Sequence, residues 1–219
     1  MNDWIRKELM LSHAEMNVSA DLVKYEKQIE DYRASLLIYA YQKEILKQEL
    51  DTVVSLNEIE TYYNQHKDEF RLSKNIFKGR FLVIEKTAPN IDIVQDLYKS
   101  EKDNAIADLE DYCQQFAREY YLRDTNWQYF SVINNKLPNL IIDEGDFLER
   151  TNHMVWEDES MMYYLFVKDY QKTGTLSPLI LEKSKIREVL LNKRKVKYLK
   201  KLEDDLYQEA LSNKKIKIY

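Results

Sequence analysis

The stretch Asp51 to Phe70, DTVVSLNEIETYYNQHKDEF, joins a short β-rich segment to a helix with a well-marked start. Asp51 to Val54 reads as extended. Ser55 then stands at an N-cap position and Glu58 follows three residues later, so hydroxyl and carboxylate can each satisfy an orphan backbone donor of the other in a capping box. The spacing predicts a compact helix. Ile59, Tyr62 and Tyr63 fall on one side of it, while Glu58, Glu60, Gln65, Lys67 and Asp68 face water. The helix ends near Phe70, whose ring is placed to close the turn.

A matching stretch lies at the far end. Ile216, Lys217, Ile218 and Tyr219 alternate apolar and polar residues, a strand pattern that needs a partner. The β-branched run Thr52-Val53-Val54 is the partner predicted for it. Pairing of the two makes residues 1–73 and 174–219 one discontinuous helical module closed by a short β pairing, with residues 74–173 inserted as a separate α+β domain. The expected fold class is therefore mainly α with an α+β insert.

Composition sets outer limits on function. At 219 residues and 26.4 kDa the chain can build one large or two small domains with real cores. Only 3 Gly and 3 Pro leave few turns, which favours long helices. The net charge of −5 offers no global attraction to nucleic acid or anionic lipid. Cys113 is the sole cysteine, so neither an internal disulfide nor a thiol-based metal cluster can form. The longest apolar runs fall short of a membrane span. Met1 leads straight into Asn2-Asp3-Trp4, which fits a cytosolic protein or a chain trimmed after removal of a leader.

Along the chain, Trp4 to Met16 reads as a three-turn helix, interrupted at Asn17-Val18-Ser19. Ser19 or Asp21 can cap the next helix, Leu22 to about Leu50, whose apolar residues keep a helical period. The natural cover for that long helix is another starting at Ser177-Pro178, with Ser177 at the N-cap and proline at the first helical position. Its apolar stripe runs from Leu181 through Ile186, Leu190, Leu199 and Leu206 to Leu211, at about 1.5–3 kcal/mol for each residue fully buried. Its opposite face, rich in lysine and arginine, reads as solvated and not as a nucleic-acid surface. The insert reads as a strand over Gly79 to Ile84, helices over Asp92 to Ser100 and Asp103 to Leu122, and a strand over Trp127 to Ile133. A short helix or turn at Leu137 to Ile142 and a hairpin of His153 to Trp156 with Met161 to Lys168 complete it.

This order resembles the periplasmic foldases of the SurA/PrsA type. The segments that carry the resemblance are Ser55 to Phe70, Gly79 to Ile84, Leu176 to Leu179 and Arg187 to Tyr219. In that family both chain ends form a chaperone module around an inserted parvulin-type prolyl isomerase domain. The resemblance implies clients that are unfolded or extended polypeptides, no nucleic acid, no cofactor and no metal. It also implies a periplasmic or envelope location with a leader removed, and room for a lipid tether ahead of residue 1; a cytoplasmic location is the alternative. Tyr32, Leu36, Tyr39, Tyr62 and Tyr63 are the residues expected to bind clients, in a crevice between the long helix and the Ser55 to Phe70 helix. Phe81, Trp127, Phe130 and Tyr163 are those of a parvulin-like cup.

The parvulin motif itself departs from the family pattern. Phe81 stands where the first histidine of an Ala-Arg-His-Ile-Leu strand belongs, and Met161-Met162-Tyr163-Tyr164 supplies no second one. No glycine-rich turn occupies Asp124 to Phe130. Twisting a prolyl amide over its barrier of about 18–20 kcal/mol calls for a polar cluster that Tyr163 alone would have to rebuild, so no catalytic residue is assigned. Other chemistry has little to stand on. His13, His66 and His153 are dispersed, Cys113 sits on an apolar helix face, and Glu157-Asp158-Glu159 reads as an acidic hairpin tip. The expected function is that of a client-binding chaperone with an inactive isomerase-like domain. The alternatives are an active isomerase with a diverged site, or a non-catalytic scaffold subunit.

Overall fold

A computed structural model describes residues 2–17 and 22–213. The caps predicted at Ser19 and Asp21 lie outside the described residues, as does the strand predicted at 216–219 and with it the pairing to Thr52 to Val54. The chain is mainly helical with one five-stranded antiparallel sheet. It divides into two compact units, one holding the chain up to Val54 together with Arg187 onward, the other Ser55–Ile186. The joints predicted at 73/74 and 173/174 thus fall inside the second unit.

In the first unit, α1 (Asn2–Asn17) and α2 (Leu22–Glu49) precede the link at Asp51 to Val54, and the far part of α8 (Leu179–Ser212) follows Arg187. Arg194 fastens that link. Its Nη1 donates to the carbonyls of Asp51 at 3.0 Å and Val53 at 2.8 Å and lies 3.3 Å from the Asp51 carboxylate. Burial departs from expectation here. Among the described residues of α1 and α2 none is buried, and of the α8 stripe only Ile186, which belongs to the second unit, is fully enclosed. Val196 and Leu206 face solvent while Leu190, Leu199 and Leu211 are half-buried, so only part of the burial energy expected of the stripe is realised.

The second unit begins with α3 (Leu56–Gln65), and its capping box forms as predicted. Ser55 N donates to Glu58 Oε2 at 2.9 Å and Glu58 N donates to Ser55 Oγ at 3.3 Å. Ile59 and Tyr63 turn inward, and Phe70, after a 3₁₀ turn at Lys67–Glu69, stacks on Tyr63 with ring centroids 5.4 Å apart. From Phe70 the chain runs antiparallel to its return path: Ser177 N donates to Phe70 O at 2.9 Å, Leu72 N to Thr175 O at 2.9 Å and Gly174 N to Leu72 O at 2.8 Å. The Tyr63 hydroxyl closes the neck by donating to Ser177 O at 2.5 Å. Ser177 does not cap α8 with its side chain, which is buried without a hydrogen-bond partner among the described residues; the helix begins one residue after Pro178.

Beyond the neck the two paths continue as the central strands β1 (Ile76–Glu85) and β5 (Met161–Gln171), paired from Ile76 with Gln171 to Glu85 with Met161. β2 (Ala117–Tyr121) and the two-residue β3 (Gln128–Tyr129) flank β1, and β4 (His153–Glu157) flanks β5, so the main order is β2-β1-β5-β4. One face of the sheet, with Phe77, Phe81, Val83, Leu165 and Val167, packs under α6 (Phe130–Asn134) and α7 (Glu144–Arg150) through Phe130, Ile133 and Leu148. The other, with Leu82, Ile84, Tyr164 and Phe166, packs under α4 (Val94–Leu97) and α5 (Asp103–Phe116) through Val94, Leu109 and Cys113. Two predicted elements change identity. The helix predicted to reach Leu122 stops at Phe116, because 117–121 pairs with Phe81 to Ile84. The strand predicted at Trp127 to Ile133 survives only at Gln128–Tyr129, and Phe130 onward is helical. Strand pairing outweighs local propensity over 117–121, whereas from Phe130 a helical turn lets Phe130 and Ile133 both pack on the sheet.

The β1–β5 ribbon carries a register shift between Lys78 and Gly79. At Gly79 an added Cβ would sit 1.9 Å from the Phe166 carbonyl oxygen, so a bare backbone is a steric requirement. Gly79→Ala is therefore expected to cost at least the roughly 1–3 kcal/mol of an overpacked core. Urea unfolding followed by tyrosine fluorescence checks this; an unchanged midpoint would show that the ribbon tolerates a methyl group there.

Candidate functional site

Of the four residues predicted to form a cup, Phe81, Phe130 and Tyr163 share one apolar cluster and Trp127 stands apart. Phe81 and Phe130 are 1% and 0% exposed, packed into the core beneath α6 and α7. Trp127 is half-buried away from that cluster, its ring under the Lys78 ammonium at 4.5 Å. Tyr163 alone borders an opening. The phenylalanine at position 81 fills, with a ring, the space that a polar side chain would need.

The opening at Tyr163 is a cleft of about 400 Å³ lined by Val83, Arg118, Glu119, Lys136, Met161 and Tyr163. Strand register builds it: Glu119 on β2 pairs with Val83 on β1, which pairs with Tyr163 on β5, a single row across three strands. Lys136, after α6, forms an ion pair with Glu119 across its rim. The Tyr163 hydroxyl donates to Asp158 Oδ2 at 2.6 Å, while Asp158 Oδ1 accepts from Ser160 N at 2.9 Å and Met161 N at 2.8 Å. This bonding, first from Tyr163 and then from the two amides, holds the Asp158 carboxyl down to about 2. The same bond pushes the Tyr163 phenol above its ordinary value. Asp158 is thus the fixed anchor of the β4–β5 turn, a role the acidic tip Glu157-Asp158-Glu159 only partly disclosed. A phenol bound to a permanent carboxylate has its proton committed, and no imidazole lies among the lining residues to move one.

The client-binding residues predicted from sequence also differ in placement. Tyr32, Leu36 and Tyr39 stand exposed on α2, at 67%, 49% and 65%. Tyr62, in the other unit, is half-buried and stacks on His66 at 4.0 Å, with His66 Nδ1 2.8 Å from the Tyr62 carbonyl. Tyr63 is enclosed between Phe70 and the neck, its hydroxyl engaged by Ser177.

One buried charge centre escaped the sequence. Arg80, fully buried, donates through Nε at 3.1 Å and Nη2 at 2.5 Å to Asp124 Oδ2, and through Nη1 to the carbonyls of Tyr98 at 3.3 Å and Ser100 at 2.5 Å. The guanidinium lies over the Phe166 ring at 5.2 Å, and Lys168 stands 3.7 Å from Asp124. With four of its five N–H groups donating to these partners, the guanidinium ties the loop after α4 to the one after β2. Cys113 is buried and its thiol is pushed up to about 12 by desolvation, which removes the thiolate that reactivity needs. Among the described residues no group of histidine, cysteine and carboxylate side chains could hold a metal ion, and no helix is long and apolar enough to cross a membrane.

No family model and no curated protein matches the chain. Among solved structures it is similar to one described as showing the virulence factor PEB4 and the periplasmic protein Cj1289 of the human pathogen Campylobacter jejuni to be two structurally related SurA-like chaperones. The identity is 16%, with 100% of this chain and 83% of that chain covered, at a TM-score of 0.37, a distance at which the likeness carries no argument. The class that the structure itself defines is a mainly helical protein carrying one small antiparallel sheet.

The Asp158 carboxyl supplies a pH test. Its folded pKa lies below the ordinary aspartate value of about 3.9, so its contribution is complete above that value and is lost as pH falls from about 4 towards 2. Tyr163→Phe removes the first cause of the depression. The Asp158 carbon signal in an NMR titration is expected to move its midpoint upward in this variant, and wild type is expected to lose more stability than the variant across that window. Equal midpoints would mean that the phenol does not hold the carboxylate.

Proposed function

We propose that this protein is an envelope chaperone of the SurA/PrsA type that holds unfolded or extended polypeptides, and that its sheet domain does not catalyse prolyl isomerisation. The observation that carries the proposal is the solvent exposure of large apolar side chains along α1 and α2: Trp4 is 68% exposed and Met10 73%, beside Tyr32, Leu36 and Tyr39. A monomeric soluble protein seldom leaves such a quantity of aromatic and aliphatic surface in water, and contiguous apolar surface marks a binding face. Tyrosine and methionine suit varied partners, since amphipathic rings and pliable thioethers adapt to different chain segments.

The sequence order of long helix, capped helix, α+β insert and basic C-terminal helix supports the same reading, and with it the periplasmic or envelope location. Tyr63 serves the neck and is not a contact residue in this proposal. The absence of catalysis rests on Phe81, enclosed where the resembling family carries a histidine, and on the Tyr163 proton being bound to Asp158. The cleft beside Tyr163 has a charged rim and no open apolar cup, which speaks against the isomerase alternative.

The full chain is expected to slow aggregation of a chemically unfolded client, followed by light scattering. Tyr32→Ser/Leu36→Ser/Tyr39→Ser is expected to raise the concentration needed by about tenfold or more, a tenfold change corresponding to about 1.4 kcal/mol of lost contact. A proline-containing peptide is expected to isomerise at its uncatalysed rate in the presence of the protein. No protection at molar excess would remove the chaperone reading, and a robust isomerisation rate abolished by Tyr163→Phe would overturn the assignment of the sheet domain.

A further inference from the structure

We infer that the outer edge of β4 takes up an extended polypeptide segment as an added antiparallel strand of the sheet. β4 stands last in the order β2-β1-β5-β4, so one of its sides has no neighbouring strand. The bonds at its two ends fix which backbone groups face that side. Asn152 O accepts from Val167 N at 2.7 Å, and Asp158 N donates to Met161 O at 3.1 Å, so both are hydrogen-bonded pairs of the β4–β5 ladder. Bonded and non-bonded pairs alternate along an antiparallel ladder. Met154 and Trp156 therefore bond to β5, and the N–H and C=O groups of His153, Val155 and Glu157 point outward. Among the described residues no hydrogen bond engages them.

The two edges of the sheet are built differently. β2 carries the adjacent charges Arg118 and Glu119, the latter ion-paired with Lys136, and its register to β1 shifts between Val83 and Ile84. Charges and bulges are the devices that blunt an edge against another chain. β4 has neither in its middle: Met154-Val155-Trp156 is wholly apolar, and its register to β5 runs unbroken. A row of unpaired donors and acceptors at strand spacing is complemented by one chemistry, the backbone of another extended chain.

Side chains define the segment further. Trp156 lies on the α6–α7 side of the sheet and Val155 on the α4–α5 side, both half-buried, and Met154 is 37% exposed. An added strand thus meets an apolar neighbour on each face, and aromatic or β-branched residues make the better cross-strand pairs there. The far end is acidic. Glu157 is matched by Lys86 at 3.1 Å, but the exposed Glu159 has no basic partner among the described residues, so a lysine or arginine at that end of the segment is complementary. A second copy of this chain is the poorer occupant. Two five-residue edges laid side by side bury far less than the roughly 1,200 Å² of a stable interface, whereas a weak contact suits a protein that must release what it holds. The class of partner rests on the client-holding reading; the inference adds a site in the other unit and a mode of contact through backbone pairing.

Amide NMR of the full chain, titrated with a short synthetic peptide of alternating tyrosine and threonine ending in lysine, tests it. The amides of His153, Val155 and Glu157 are expected to shift and to exchange with deuterium more slowly, while those of Arg118 and Tyr120 stay unchanged. The same peptide N-methylated at two adjacent central residues offers no donor to either side there, and is expected to bind about tenfold more weakly or less. Val155→Pro is expected to weaken the unmodified peptide similarly. The N–H it removes faces outward, so the β4–β5 ladder is kept, with circular dichroism as the control. Equal binding of the two peptides overturns the inference, whether or not the proline variant folds. Slow exchange of these amides in the protein alone also overturns it, since the edge would then be held by a second copy or by the chain itself. Tyr32→Ser/Leu36→Ser/Tyr39→Ser leaves β4 intact and is expected to bind the peptide as wild type does. Protection of an unfolded client by wild type with no shift in β4 counts against this inference alone; a seated peptide without any such protection counts against the client-holding reading alone.

Discussion

The long antiparallel ribbon between residues 70–85 and 161–177 is the constraint from which the Ser55–Ile186 unit is built. It starts as the neck, where Phe70, Leu72 and Asn75 exchange bonds with Thr173 to Ser177, and continues past a turn at Thr173-Gly174 into the β1–β5 pair. Closing a loop of this length costs chain entropy that rises only slowly with length, and the ribbon returns it as backbone hydrogen bonds and two buried faces. At Gly79 an added Cβ would run into the Phe166 carbonyl oxygen, so no side chain fits there. Every other element of the unit is placed by this pair: β2 and β4 add to its edges, and the helices cover its two sides.

Chemistry within that unit is spent on holding it together. The polar groups one would inspect for catalysis are all committed to structural partners: Arg80 to Asp124 and two carbonyls, Tyr63 to Ser177, Asp158 to the Tyr163 hydroxyl and two amides. Burial raises the Cys113 thiol out of the reactive range. A site for making and breaking bonds usually shows the opposite, a titratable group in a cleft with its proton free to move. The sheet domain carries a modest charged cleft at Tyr163.

The other unit inverts the usual distribution of surface. Its helices keep their apolar residues in water, and over Leu36, Leu37, Ile38 and Tyr39 four successive side chains cover most of the helix circumference. A single neighbour cannot enclose all of them, because residues at 100° intervals point in every direction. Such a helix needs partners on more than one side.

How far the sequence spoke depended on the range of the forces involved. The α3 capping box, the long α2, the strand around Gly79 to Ile84 and the hairpin ahead of Lys168 were legible because neighbours within a few residues decide them. The end of α5 at Phe116 was not, since a strand brought from elsewhere competed with local preference, and the helix at Phe130 was not, since it depends on packing against the sheet. The complete burial of Phe81 followed only from how α6 and α7 pack on the sheet. Arg80 illustrates the same limit: an arginine beside a phenylalanine in a strand gives no hint of a partner at Asp124. By itself the sequence determined that helices would dominate and that their apolar surface would be rich in tyrosine, because composition and periodicity act locally. Which of those side chains were enclosed and which were left facing water was decided only by tertiary structure, since burial depends on what distant segments bring to the same place.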